Sequence, residues 1–253
     1  MLAMPTHTEP DPTRTRPSVL ITAGPTHEPI DAVRYIANRS SGTLGLALAD
    51  VATQRGCPSK LLLGPSAIRT HTVTGHANAA PSPETGRAPA SQVAIERFQT
   101  AADLESLLRS HAPAADFLIM AAAVADYRPA HPHPGKLPRT GDRLTLALEP
   151  VPDLLAATLP MLGPKAVAIG FALEEDATDH ERAMSKMARK GCHAIVLNPL
   201  ATMDSGGIDA TILFADGRPP IAPGPLPKAE FAERLIDAAI DLWREGHPQG
   251  SAP

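Results

Sequence analysis

Short, mostly apolar runs alternate with longer segments of mixed polarity along this chain, and the two periods predict alternating strands and helices. Val19–Ala23, Lys60–Leu63, Phe117–Met120, Ala166–Ala172 and Ala194–Leu197 have the near-continuous apolar character of strands buried on both faces. Val93–Phe98 and Leu144–Leu148 alternate, and Thr211–Ala215 adds a late strand. Helical spacing covers Gly42–Arg55, Ala101–Ser110 with Thr100 as its N-cap, Pro152–Leu162 ended by Gly163-Pro164, Glu174–Lys190, and Lys228–Glu245. In the last of these, Phe231, Leu235, Ile236, Ala239 and Leu242 form one apolar stripe. The alternation predicts an α/β, Rossmann-like fold: a mainly parallel sheet with helices on both faces. No internal repeat is visible.

Three segments lack any period. Residues 1–17 are rich in Pro and Thr and read as a disordered leader. Residues 64–91 read as a mobile insert. Residues 128–141, rich in Pro, His and basic groups, read as a flap. With a short tail at 247–253, this predicts a single domain over 18–246. Hydrophobic residues make up 43% of the chain but aromatic ones only 3%, so the core must be built from Ala, Leu, Ile and Val. A net charge of -4 gives no electrostatic footprint for nucleic acid or an anionic membrane. No apolar run approaches the roughly 18 residues of a membrane span, and the N-terminus has no secretory apolar core. Cys57 and Cys192 stand in no metal or redox pair, as expected of reduced thiols in a cytoplasmic protein.

In parallel α/β sheets, ligands bind beyond the carboxyl ends of the strands. Polar groups collect at those ends here. After Val19–Ala23 comes a loop with Arg34, Asn38, Arg39, Ser40 and Ser41, which runs into Gly42-x-x-Gly45 at a helix start. A strand, a polar loop and a helix N-terminus together make an anion site, which points to a phosphate-bearing ligand. Asp126 follows Phe117–Met120, where it is either a turn residue or a carboxylate for a ribose, a base or Mg²⁺. Lys136 and Arg139 lie in the flap. Lys186 and Lys190 share a helix face, and on pattern alone they read as solvated. His131 and His133 have no clear third metal ligand. No nucleophile elbow, zinc helix motif or Walker A loop is present. The incomplete glycine fingerprint counts against a Rossmann-type NAD(P)-dependent oxidoreductase, which stays as one alternative.

ITAGPTHEPIDAVRYIANRSSGTLG, AAAVADYRP, the flap lysine and GFALE resemble phosphopantothenoylcysteine synthetase, the phosphopantothenate–cysteine ligase of coenzyme A biosynthesis. The resemblance runs from about Val19 to Trp243 and implies a stand-alone form whose decarboxylase is a separate partner. It implies ligation of 4'-phosphopantothenate to L-cysteine, with CTP (or ATP) and Mg²⁺, through an acyl-nucleotidylate. By the same resemblance Asn38 and Lys136 are catalytic, and Ser40, Ser41, Gly42 and Arg34 bind the substrate phosphate. Gly24, Ala122, Asp126, Lys136, Asp153, Phe171, Lys186 and Lys190 contact the nucleotide. A homodimer is implied, with Leu144–Leu148 as the strand that pairs across the two-fold. Several positions depart from the family pattern: Leu137-Pro138-Arg139 thins the basic flap, Val151 replaces an asparagine, His27 replaces an arginine, and Asp204–Asp209 is short. These departures keep a second alternative open, a nucleotide-binding homologue without catalysis.

Overall fold

The computed structural model describes residues 16–66, 93–175, 179–200 and 206–246. The expected leader, apart from Arg16 and Pro17, the expected tail, the expected insert beyond residue 66 and residues 204–205 of the short Asp204–Asp209 segment lie outside the described residues. The elements in chain order are β1 (Val19–Ala23), β2 (Glu28–Pro29), β3 (Tyr35–Ile36), α1 (Thr43–Gln54), β4 (Ser59–Leu63), β5 (Ala94–Arg97), α2 (Ala101–His111) and β6 (Phe117–Met120). They continue with β7 (Tyr127–Pro129), β8 (Leu148–Pro150), α3 (Leu154–Thr158), β9 (Val167–Glu174), α4 (His180–Lys190) and β10 (Ala194–Pro199). The chain closes with β11 (Gly207–Ile208), β12 (Thr211–Phe214), β13 (Leu226–Pro227) and α5 (Lys228–Gly246).

Seven strands form the central sheet in the order β12-β10-β9-β6-β1-β4-β5. All neighbours pair in parallel except β12, which runs antiparallel to β10 at one edge. The chain leaves β1 in one direction through β4 and β5, then crosses back to β6 and continues outward the other way. The strand order therefore reverses between β1 and β6, which opens a crevice there.

Alternate residues of each strand face opposite layers. Val19, Ile21 and Ala23 pack with α1 and α5, where Leu48, Phe231, Leu235 and Ile236 are fully buried. Leu20, Leu62 and Leu118 face the layer of α2, α3 and α4, with Leu104, Leu108, Leu154 and Met187. Trp243 lies edge-on to Phe117 at 6.4 Å between ring centres, an arrangement worth about 0.5–1.5 kcal/mol beyond its buried area. Helix α2 begins as expected at Thr100: the Thr100 hydroxyl accepts from Asp103 N (3.1 Å), and the Asp103 carboxylate accepts from Thr100 N (2.9 Å).

Three expectations need correction. Residues 144–147 are not strand: pairing starts at Leu148, and β8 joins β7 in an antiparallel ribbon inside the same protomer. Glu174 does not start a helix. It extends β9, opposite Pro199 of β10, and α4 begins only at His180. The helix expected over 152–162 is α-helical only through Thr158, because Pro160 turns the next residues, Leu159–Met161, into a 3-10 turn. The small ribbons β2–β3, β7–β8 and β11–β13 are too short to leave a period in the sequence.

Candidate functional site

A cleft of about 940 Å³ opens at the carboxyl ends of β1, β6, β9 and β10. Its first wall is the loop after β1 and the start of α1. Gly42, at φ +76°, precedes the helix in a left-handed conformation that favours glycine. Gly42 has no side chain to cap this helix, and its first turn carries no acidic residue; Ser40 Oγ and Ser41 Oγ accept long bonds from Gly42 N and Thr43 N (3.4 Å each), and the positive end of the dipole lies at the cleft. The nearby Ser41 and Thr43 hydroxyls lie 2.8 Å apart. Gly45 lets α1 sit against β1, since a Cβ there would collide with that of Ala23. This end of the cleft is thus set by close packing of helix on strand.

The middle wall is Ala121–Asp126, zipped onto the loop after β1. Ala122 N donates to Thr22 Oγ1 (3.1 Å), Ala123 N to Gly24 O (2.9 Å) and Ala125 N to Thr26 Oγ1 (3.0 Å). Thr22 and Thr26 are fully buried, and their hydroxyls satisfy amides that would otherwise be orphaned. The Asn38 amide donates to Val124 O at 2.8 Å, which fixes its side chain across both loops. Asp126 is exposed at the mouth.

The far wall is cationic. Lys186, Arg189 and Lys190 of α4 line it, with Lys228 at the start of α5, Phe171 of β9 and Asn198 of β10. Two acids hold the lysines. Glu174, 4% exposed, pairs with Lys186 and lies 3.6 Å from Arg182. Asp153 caps α3 through Ala156 N (3.2 Å) and pairs with Lys190 at 3.0 Å. Burial pushes the Asp153 carboxyl up, but the Lys190 ammonium and the Ala156 N–H outweigh it and leave the group below its ordinary value.

Asn38, Ser40, Ser41, Gly42, Ala122, Asp126, Asp153, Phe171, Lys186 and Lys190 all line this one cleft, as the sequence reading groups them. Gly24 lies behind the lining, against Gly42. Arg34 and Lys136 are not in the lining. The Arg34 guanidinium instead pairs with Asp31 and donates to Leu137 O at 3.0 Å, and Lys136 is exposed on the flap beside it. Arg189 belongs to the cleft with Lys186 and Lys190 on the same basic helix, whereas Lys228 carries no local signal and arrives only because α5 folds back across the sheet. His27 stacks on Tyr35 at 3.7 Å, outside the cleft. Cys57 and Cys192 are both buried, and burial raises the thiol pKa of each. Among the described residues no three His, Cys, Asp or Glu side chains converge to hold a metal ion, and no helix is long and apolar enough to cross a membrane.

Fold and site together define a Rossmann-like α/β domain with a cleft at its topological switch point, lined by a helix N-terminus on one side and the lysines of α4 on the other. The chain belongs to the DNA/pantothenate metabolism flavoprotein C-terminal domain family, whose model matches residues 15–242. It is 34% identical over 237 residues to the coenzyme A biosynthesis bifunctional protein CoaBC of Mycobacterium bovis, an alignment covering 88% of this chain and 51% of that protein. It is 35% identical over 189 residues to a cysteine/cysteine sulfinic acid decarboxylase of an unknown prokaryotic organism, covering 74% of this chain and 47% of that one. The crystal structure of the C-terminal domain of CoaBC is similar at a TM-score of 0.70 and 30% identity, covering 92% of this chain and 98% of that chain. The chain spans about half the length of the curated relatives it matches.

Proposed function

We propose that this chain joins 4'-phosphopantothenate to L-cysteine at the expense of CTP, through an acyl-nucleotidylate, in coenzyme A biosynthesis. The observation that carries the reading is a cleft with two separate anion-receptive ends, the N-terminus of α1 and the cationic face of α4, with Asn38 held on the loop between them. The likeness to coenzyme A biosynthesis proteins supports it. The phosphate of phosphopantothenate sits at Ser40, Ser41 and Gly42, and the nucleotide lies between Ala122, Asp126, Phe171, Lys186 and Lys190. The substrate carboxylate attacks the α-phosphorus and pyrophosphate leaves. The cysteine amine then attacks the acyl carbon, loses a proton and expels CMP. Both steps gather negative charge on oxygen, so the protein's share is positioning and electrostatic stabilisation, with the Asn38 amide facing the oxyanion. Mg²⁺ would be held mainly through the nucleotide phosphates, with the exposed Asp126 as a carboxylate at the mouth of the cleft, and it would supply neutralising charge.

We infer further that the chain acts in the cytoplasm as a homodimer. Tyr127, Leu144, Leu146 and Leu148 expose apolar side chains around the β7–β8 ribbon, and Val33 and Tyr35 do so in and beside the neighbouring β2–β3 ribbon. A second copy covers that surface. The product suits a decarboxylase, which is the expected partner. The deciding assay is pyrophosphate release with phosphopantothenate and Mg²⁺, comparing CTP with ATP, with and without cysteine. Release with CTP, and an amide product only when cysteine is present, supports the reading. Nucleotide binding without release favours a non-catalytic homologue.

A further inference from the structure

We propose that Asp31 is a positioning residue for Lys136: its buried carboxylate latches the flap onto the turn between β2 and β3 and so fixes where the flap lysine stands. The inference rests on the ligase reading for what Lys136 does, but the latch itself is visible in the geometry.

The Asp31 side chain is wholly covered. It accepts from Val33 N at 2.9 Å and Arg34 N at 2.7 Å, which alone would make an ordinary turn. Two further bonds come from the Arg34 guanidinium, one of them from Nε at 3.0 Å. The fifth comes from Leu137 N, 106 residues along the chain, at 3.0 Å. Arg34 closes the circuit by donating to Leu137 O at 3.0 Å. Two backbone bonds extend the seam, Ala32 N to Gly135 O (3.2 Å) and His133 N to Ile30 O (2.9 Å). The pinned flap residues are therefore 133, 135 and 137. Lys136 stands exposed between two half-buried, bonded neighbours, with its backbone held on both sides. The arginine beside it, held first by its side-chain bond, keeps the Asp31 carboxyl far below the ordinary carboxylate range, so the latch carries full charge at neutral pH.

A purely local role for Asp31 predicts something different. A turn needs only the Val33 and Arg34 N–H groups, and Asp31→Asn would satisfy both. Asparagine would, however, turn an NH₂ group toward the Leu137 N–H and the guanidinium, so it keeps the turn and breaks the latch.

The test combines amide hydrogen exchange across 131–137 with pyrophosphate release by the wild type, Asp31→Asn, Lys136→Gln and the double variant. The latch predicts that exchange at His133 and Leu137 rises about tenfold or more in Asp31→Asn. It also predicts that kcat of activation falls about tenfold or more, and that the double variant is no slower than Lys136→Gln alone, because the two residues act as one unit. Unchanged flap exchange overturns the latch. Losses that multiply in the double variant overturn the action through Lys136. If Asp31→Asn does not fold, Leu137→Pro removes the flap donor and leaves the turn intact, and the same exchange increase at His133 is expected. A wild type that releases no pyrophosphate overturns the ligase reading and the role given to Lys136, while exchange still decides the latch.

Discussion

Gly45→Ala is the sharpest test of how the fold builds the end of the cleft proposed for the substrate phosphate. A Cβ at this position would lie inside the contact distance of Ala23 Cβ, and the Ala23 backbone blocks any sideways escape at 3.3 Å. Carbon atoms separate to about 3.5–4.0 Å, so α1 must retreat from β1 by about an ångström or more. Overpacking of this kind costs about 1–3 kcal/mol, which for a domain of this size lowers Tm by about 2–12 °C. The retreat also carries Ser40, Ser41 and the open N-terminus of α1 away from Asn38, which stays tied to Val124. A misplacement of about 1 Å can cost about a hundredfold in rate. The assay pairs thermal unfolding with phosphopantothenate-dependent pyrophosphate release. Gly163→Ala serves as the control, because a Cβ there meets nothing within 4 Å, and it is expected to match the wild type. A Gly45→Ala protein as stable as the wild type would refute the close-packing argument. A destabilised protein with unchanged KM for phosphopantothenate would refute the claim that the helix end binds its phosphate.

Asn38→Asp replaces the amide that donates to Val124 O with a carboxylate that repels it; the acyl-nucleotidylate should accumulate while amide formation slows by about a hundredfold, and quenched-flow detection that finds no intermediate sinks the role given to Asn38. Asp153→Asn keeps the α3 cap but removes the charge that faces Lys190. The folded carboxyl lies below its ordinary value, so its contribution is present above about pH 4 and is lost as the pH falls through the folded value. The urea midpoint difference between wild type and variant should then be flat at neutral pH and shrink in acid, and a difference independent of pH would disprove the pairing. Leu148→Arg places a charge in the exposed apolar patch beside Tyr127; sedimentation should show a monomer, and an unchanged mass would move the dimer surface elsewhere.

The parts of the site that local pattern reveals are those whose physics is local. β1, the polar loop and α1 follow one another within one stretch of chain, and their periods, glycines and serines all point to an anion site before any fold is known. Lys186 and Lys190 show the limit of that view. Their spacing says only that they share a face, and on that evidence a solvated surface is the better reading. What turns them into a cleft wall is Glu174 and Asp153, two acids reached across the sheet edge. Glu174 sits in an apolar strand whose polarity at that point resembles a helix start, which is why its burial went unread.

The flap makes the same point about Arg34. Four residues before Asn38 in a phosphate-like loop, it reads as a phosphate ligand, because a sequence shows which cations are near but not which anions they have already found. Asp31 lies three residues away, yet an i,i+3 pair in a loop says little by itself. The meaning comes from Leu137, whose N–H and carbonyl complete the circle from 106 residues along the chain. Spending an arginine on a buried aspartate is a poor use of charge for stability alone, since most of its Coulomb gain offsets desolvation. It is a good use where a segment without secondary structure must be held at one place. The pair sits under the segment that carries Lys136, and there the chain has no helix or main-sheet strand to do the holding.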